Sequence, residues 1–254
     1  MNKPPQHAAA QVELVAGVSA VAPGVLWLQH ARALVAADVH LAYEDVIGGA
    51  LPAWSTLELV STLVAAAERM QAHEVVLLGD VIHGSRMSEG AARAVQQGLE
   101  RLRAAARLTL VAGNHEGRAR GAAVLGETVE SVERDGWLLL HGDRAAAGAR
   151  CIIGHLHPSL GLGGGTSAPA FLACERLIVV PALTPYSRGL NVLSVACLHA
   201  LRPFGIASRR EMHVVAAAGD LLYPFGQLSE LQKAVTGGAA PRSPYRRTWL
   251  RPDR

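Results

Sequence analysis

Five apolar runs in this chain each end on a polar residue, and that recurrence constrains the fold more than any other feature of the sequence. Residues 32–37 lead into Asp38, 74–78 into Gly79-Asp80, 108–112 into Gly113-Asn114-His115, 137–140 into His141, and 151–153 into Gly154-His155. Short runs of Val, Leu and Ile closed by glycine or a polar cluster predict buried strands, each delivering a polar side chain at its exit. Between the first three lie residues 55–71 and 88–107, where apolar residues recur at three- and four-residue steps with Glu58, Glu68, Arg69 and Arg93 among them. That period predicts amphipathic helices. Strand and helix alternate, so the expected class is α/β with parallel pairing, and ligands in such folds gather beyond the carboxyl ends of the strands. The polar exits therefore predict one shared site.

Beyond residue 157 the pattern changes to a glycine-rich loop at 161–165 and then to short strands at 171–173, 177–180, 191–195 and 212–217, which predicts a second sheet. The expected organisation is a single domain over residues 12–240 with flexible ends at 1–11 and 241–254.

Composition excludes several classes. Half of the 254 residues are hydrophobic, which argues against disorder, yet no apolar run reaches the roughly 18 residues of a membrane span, and no membrane partner is expected. Residues 1–11 include Lys3, Pro4 and Pro5 and lack the apolar core of a secretory signal, so the expected location is cytoplasmic. Cys151, Cys174 and Cys197 form no CxxC pair and are read as structural thiols. The net charge of +3 is concentrated in the tail, where Arg242, Arg246, Arg247, Arg251 and Arg254 face the single acid Asp253. Such a tail could follow a nucleic-acid backbone by charge attraction, and the plainer, favoured reading is a solvated, disordered end. The Ala-rich second half suggests exposed apolar stretches and, with them, a homo-oligomer.

The strand exits carry metal-binding side chains. Asp38-Val39-His40 places a carboxylate and an imidazole two residues apart, on one face if the backbone is extended, and Gly154-His155-Leu156-His157 repeats the spacing with two imidazoles. Asp80, Asn114 and His141 add a carboxylate, an amide oxygen and a further imidazole. Seven such donors suit two metal ions with one shared ligand. Histidine alone is a weak signal, because an isolated one is more often hydrogen-bonded structure than ligand. Here, however, His40, His115, His141, His155 and His157 account for five of the eleven histidines, all at strand exits.

In their order along the chain, Asp38-x-His40, Gly79-Asp80, Gly113-Asn114-His115-Glu116, His141 and Gly154-His155-x-His157 resemble the motif set of the calcineurin-like metallophosphoesterases. The resemblance implies a four-layer sandwich of two mixed β-sheets flanked by helices. It implies that Asp38, His40 and His157 hold one divalent ion, that Asn114, His141 and His155 hold another, and that Asp80 bridges them. In that family a hydroxide between the ions attacks phosphorus, and oxygen and imidazole donors without thiolate point to Mn2+, with Fe2+ or Zn2+ as alternatives. His115 is implied to protonate the leaving oxygen or to stabilise the phosphoryl charge. Many relatives place an aspartate three residues after the bridging one to orient this histidine, whereas this chain has His83 there. His83 is accordingly a candidate to meet the phosphate or leaving group, with loop packing as the alternative. Arg86 is a candidate phosphate contact, and Glu116 and Asp143 are candidate hydrogen-bond acceptors for ligand histidines.

The chain length, the early Asp-x-His pair, the Gly-Asp-x-x-His version of the second motif and the run Leu138-Leu139-Leu140-His141-Gly142-Asp143 are similar to the bacterial DNA-ligase-associated branch of that family. That branch implies a phosphodiesterase or DNA endonuclease in repair, with DNA as substrate and DNA ligase and helicase repair proteins as functional associates. The alternatives are a small-nucleotide or protein phosphatase, with residues 161–169 shaping a pocket, and a non-catalytic scaffold with the same fold.

Overall fold

The structure is a computed structural model that describes residues 8–46, 54–83, 87–114, 120–146, 148–184, 186–187 and 189–236. Three strands, β1 (Gln11–Val15), β2 (Val18–Val21) and β3 (Val25–Leu28), form an antiparallel meander that continues into β4 (Ala33–Ala37). After α1 (Tyr43–Val46) and α2 (Trp54–Met70), β5 (Glu74–Leu78) pairs parallel to β4. Next, α3 (Glu89–Ala105) crosses over to β6 (Arg107–Val111), parallel to β5. The first sheet therefore runs β1-β2-β3-β4-β5-β6, antiparallel at one edge and parallel at the other.

The second sheet holds the rest: β7 (Ser131–Arg134), β8 (Trp137–Leu140) and β9 (Cys151–Ile153), reached through α4 (Arg120–Leu125), then β10 (Pro158–Gly163), β11 (Thr166–Ala173), β12 (Leu177–Val179) and β13 (Leu190–Asn191). Its order is β13-β10-β11-β12-β9-β8-β7. After α5 (Val195–Leu201), β14 (His213–Ala218) joins β11 and β15 (Leu221–Gln227) joins β14, before α6 (Leu228–Thr236). Near the start of the described chain, the Ala9 and Leu222 backbones exchange hydrogen bonds, tying the N-terminal side of β1 to β15.

Alternation along each strand explains the layers. In β5, Val75 and Leu77 face α2 and α3, where they meet Leu63, Val95 and Leu99, while Val76 and Leu78 face the other sheet and meet Ile152 and Phe171. In β9 the central Ile152 points between the sheets, while Cys151 and Ile153 point outward onto Leu201 of α5 and Leu228 and Leu231 of α6. Every side chain of β4, β5 and β9 is buried. This is why these strands read as unbroken apolar runs, as strands covered on both faces do. The result is helices, sheet, sheet, helices: two mixed sheets flanked by helices, as expected.

Helix α3 begins where Ser88 Oγ accepts the N–H of Ala91, and its buried face follows the helical period through Ala91, Val95, Leu99 and Leu102. The three cysteines are free thiols, two of them buried, and burial pushes the Cys197 thiol up to about 11 against the opposing pull of Arg209. Among the described residues, no helix is long and apolar enough to cross a membrane.

Candidate metal centre

The polar exits converge, but from two sheets. Asp38, Asp80 and Asn114 follow β4, β5 and β6 of the first sheet, whereas His141, His155 and His157 follow β8 and β9 of the second. Backbone bonds fix the exits: across the seam Leu183 N–H donates to Ala37 O at 3.0 Å, and between the neighbouring exits of β4 and β5 His40 N–H donates to Asp80 O at 2.9 Å and Leu41 N–H to Val81 O at 2.7 Å.

The Asp-x-His pair is not extended. Asp38 (φ 50°), His40 (φ 48°), Asp80 (φ 45°), His155 (φ 61°) and His157 (φ 43°) all have left-handed backbones, which side-chain-bearing residues rarely adopt. Five of the seven expected ligands thus share a costly conformation, so alternation of side chains along a strand does not aim them; sharp turns at the strand ends do. Such strain persists where surrounding structure over-determines it. Glycine allows the close packing this needs: a methyl group on Gly113 would collide with the Asp80 backbone nitrogen and carboxylate, and one on Gly154 would sit 2.6 Å from Asp38 Oδ2.

The donors form two groups, Asp38 with His40 and His157, and Asp80 with His141 and His155, each with candidate ligand atoms within 4.8 Å of one another. In the first group, Asp38 is fully buried. Its Oδ2 accepts the N–H of His155 at 2.8 Å, while Oδ1 lies 3.2 Å from His157 Nε2 and has no hydrogen-bond partner. In the second, His141 Nδ1 meets the carbonyl of Leu78 at 3.2 Å, and because a carbonyl only accepts, Nδ1 carries the proton. In that tautomer Nε2 presents a lone pair to Asn114 Oδ1 at 2.8 Å, His155 Nδ1 at 3.1 Å and Asp80 Oδ2 at 3.5 Å. Burial of the His155 ring, and next the neighbouring His141, hold its pKa below the ordinary 6.5, against the pull of Asp38, Asp80 and Asp143. A ring kept neutral is a ring able to ligate. An orphaned buried carboxylate oxygen and acceptors pointed at one another are stabilised by cations, so the residues present fit two divalent ions.

Several positioning contacts have no signal in the sequence. Ser187 Oγ hydrogen-bonds His157 Nδ1 at 2.5 Å, turning Nε2 towards Asp38, and the Leu78 carbonyl does the same for His141. These partners lie 30 and 63 residues from the histidines they orient, and only the folded chain joins them. His83, expected near the phosphate, lies with Nδ1 3.0 Å from His40 Nδ1 and its ring against Tyr43. Asp143 is exposed and faces Arg144 at 3.8 Å. Residues 161–163, expected in a pocket-shaping loop, belong to the β10–β11 hairpin, where they are exposed. His115, Glu116, Arg86 and the tail from residue 241 lie outside the described residues.

The family model for calcineurin-like phosphoesterases matches residues 31–173, more than half of the chain and the whole span of these exits. The chain belongs to that family. It is accordingly a metallophosphoesterase, a hydrolase whose two donor groups occupy the end of a seam between sheets. Among solved structures, the crystal structure of Pseudomonas putida nuclease MPE aligns with this phosphoesterase at a TM-score of 0.62 and 19% identity, over 86% of this chain and 100% of that one. At that identity the likeness is one of fold. A comparison with curated proteins gave no match.

Proposed function

We propose that this metallophosphoesterase hydrolyses phosphodiesters and that its substrate is DNA. The observation that carries the reading is the pairing of two donor groups across one seam, with Asn114 Oδ1 turned into the second group although the residue itself is exposed. The exposed Asn114 gives the centre a face that a polymer could reach, and the likeness in fold to a nuclease supports the same choice.

Asp38, His40 and His157 would hold one ion, Asn114, His141 and His155 the other, and Asp80 both. Two divalent ions, when bound, supply Lewis-acid stabilisation of charge on a phosphoryl group. With only two carboxylates among the donors, the centre would be electropositive once two divalent ions are bound, which would draw in an anionic ester. Oxygen and imidazole donors favour Mn2+, with Fe2+ or Zn2+ as alternatives. Leu78 and Ser187 fix the rings of His141 and His157, and the contact with His40 supports a positioning role for His83. We assign to His115 the delivery of a proton to the leaving oxygen, and to Arg86 a hold on the phosphate. The branch resemblance supports a cytoplasmic repair setting alongside DNA ligase and helicase proteins.

The test is hydrolysis of an aryl phosphodiester beside the matching monoester, with Mn2+, together with nicking of plasmid DNA and Asn114→Ala as the inactive control. Diester cleavage with nicking is the expected result. Monoester cleavage without nicking would move the protein to the phosphatases, and inactivity with every metal would favour a scaffold.

A further inference from the structure

A row of rings leads from the metal centre to solvent. His157 meets His40 with centroids 5.4 Å apart, His40 meets His83 at 4.8 Å, His83 meets Tyr43 at 4.6 Å, and Tyr43 stacks on Tyr186 at 4.7 Å with only 10° between the planes. The row changes character along its length. Near the centre the rings meet edge to face, which suits packing and hydrogen bonding, whereas the outermost pair is parallel.

Tyr186 keeps 42% of its surface exposed while Tyr43 is half-buried, so the stack covers one face of Tyr186 and leaves ring surface towards solvent. Its place is fixed from two sides. The chain neighbour Ser187 bonds His157, and the Tyr186 N–H donates to Thr184 Oγ1 at 3.4 Å. A large exposed aromatic ring held flat, with two rings between it and His40, is a platform that another flat ring can extend.

We propose that Tyr186, backed by Tyr43, stacks on a nucleobase of the substrate beside the phosphodiester to be cut. The inference rests on the phosphodiesterase reading and adds to it how the substrate is held. Nucleobases fit because every base has a π-face, so stacking gives affinity without sequence preference. The interaction is present in the ground state and the transition state alike, so it acts on KM and leaves kcat in place.

The experiment compares two diesters with the same leaving group, thymidine 5′-(4-nitrophenyl phosphate), which carries a base, and methyl 4-nitrophenyl phosphate, which does not. Wild-type protein should favour the first in kcat/KM. Tyr186→Ala should lower that preference roughly tenfold through KM, while Tyr186→Phe, which keeps the ring, should hold it. Melting temperatures of the metal-loaded variants verify that both are folded. Equal losses on the two diesters would show that Tyr186 acts through Ser187 and His157 and would overturn the inference, as would a wild type indifferent to the base. Wild-type protein that cleaves the 4-nitrophenyl monoester and neither diester would instead remove the phosphodiesterase reading, and this inference with it.

Discussion

Arg134 grips Glu74 with two parallel hydrogen bonds, Nε to Oε2 at 2.7 Å and Nη2 to Oε1 at 2.8 Å, and so joins β7 of the second sheet to β5 of the first. Arg107 and Thr109 of β6 add bonds of 2.8 and 2.6 Å to the same buried carboxylate. Glu74 opens the strand whose other end delivers Asp80, so this clamp and the metal centre hold opposite ends of the sandwich.

Burial alone would push the Glu74 carboxyl up, but its hydrogen bonds to Arg134, Thr109 and Arg107 outweigh that and bring it from 4.5 down to about 2. A lowered folded-state value means stability that is fully present above 4.5 and lost as pH falls through 2. Glu74→Gln should cost about 2–3 kcal/mol at neutral pH, less than for a fully buried pair because Arg107 is largely exposed. The wild-type advantage should shrink between pH 4.5 and 2. Urea unfolding of both proteins across that range checks the sign.

Chelation should destabilise the protein, because the donors of two sheets then face one another without cations. At metal concentrations about 100-fold above Kd the loss is about 2.7 kcal/mol, a fall in Tm of roughly 5–10 °C. Calorimetry before and after Mn2+ is restored measures it, and an unchanged Tm would argue against metal at these residues.

Ser187→Ala leaves the ligand set intact and removes the hydroxyl that turns His157. Metal affinity should fall about tenfold while the Tm of the metal-free protein stays put. Isothermal titration with Mn2+ separates this from Asp38→Ala, which should abolish binding at that group.

Gly113→Ala should cost about 3 kcal/mol, since the added methyl would strike the backbone and carboxylate of Asp80, neither of which can move aside. Gly90→Ala, in the first turn of α3 with only Ser88 Oγ nearby at 3.9 Å, should instead stabilise by up to about 1 kcal/mol. Urea melts of the two variants compare them directly.

The strands that deliver ligands were legible because burial on both faces makes them unbroken apolar runs ending at fixed polar residues; 74–78, 137–140 and 151–153 are strands at those bounds. The sheet to which each belongs was not. Nothing local separates β8 and β9 from β4 and β5, and the assignment depends on β12 arriving beside β9 from later in the chain. The meander of residues 11–28 was less legible, because its strands are only four or five residues long and none of them leads into the metal centre. Of residues 191–195, predicted as a strand, only Asn191 is one, at the end of β13, and α5 begins at Val195, because Ser194 Oγ accepts the N–H of Cys197 and caps a helix. At the strand exits the grouping of donor side chains was readable and backbone conformation was not: left-handed turns at Asp38 and His40 are set by what surrounds them.

Placing the donors immediately after their strands separates two kinds of inheritance within one chain. Sheet geometry preserves the reaction class, since a strand end cannot drift without unpicking the core beneath it. Exposed segments beyond that touch no donor can change length and composition at little cost to stability. New phosphate esters can thus be admitted by rewriting loops while the hydrolytic centre stays where it is.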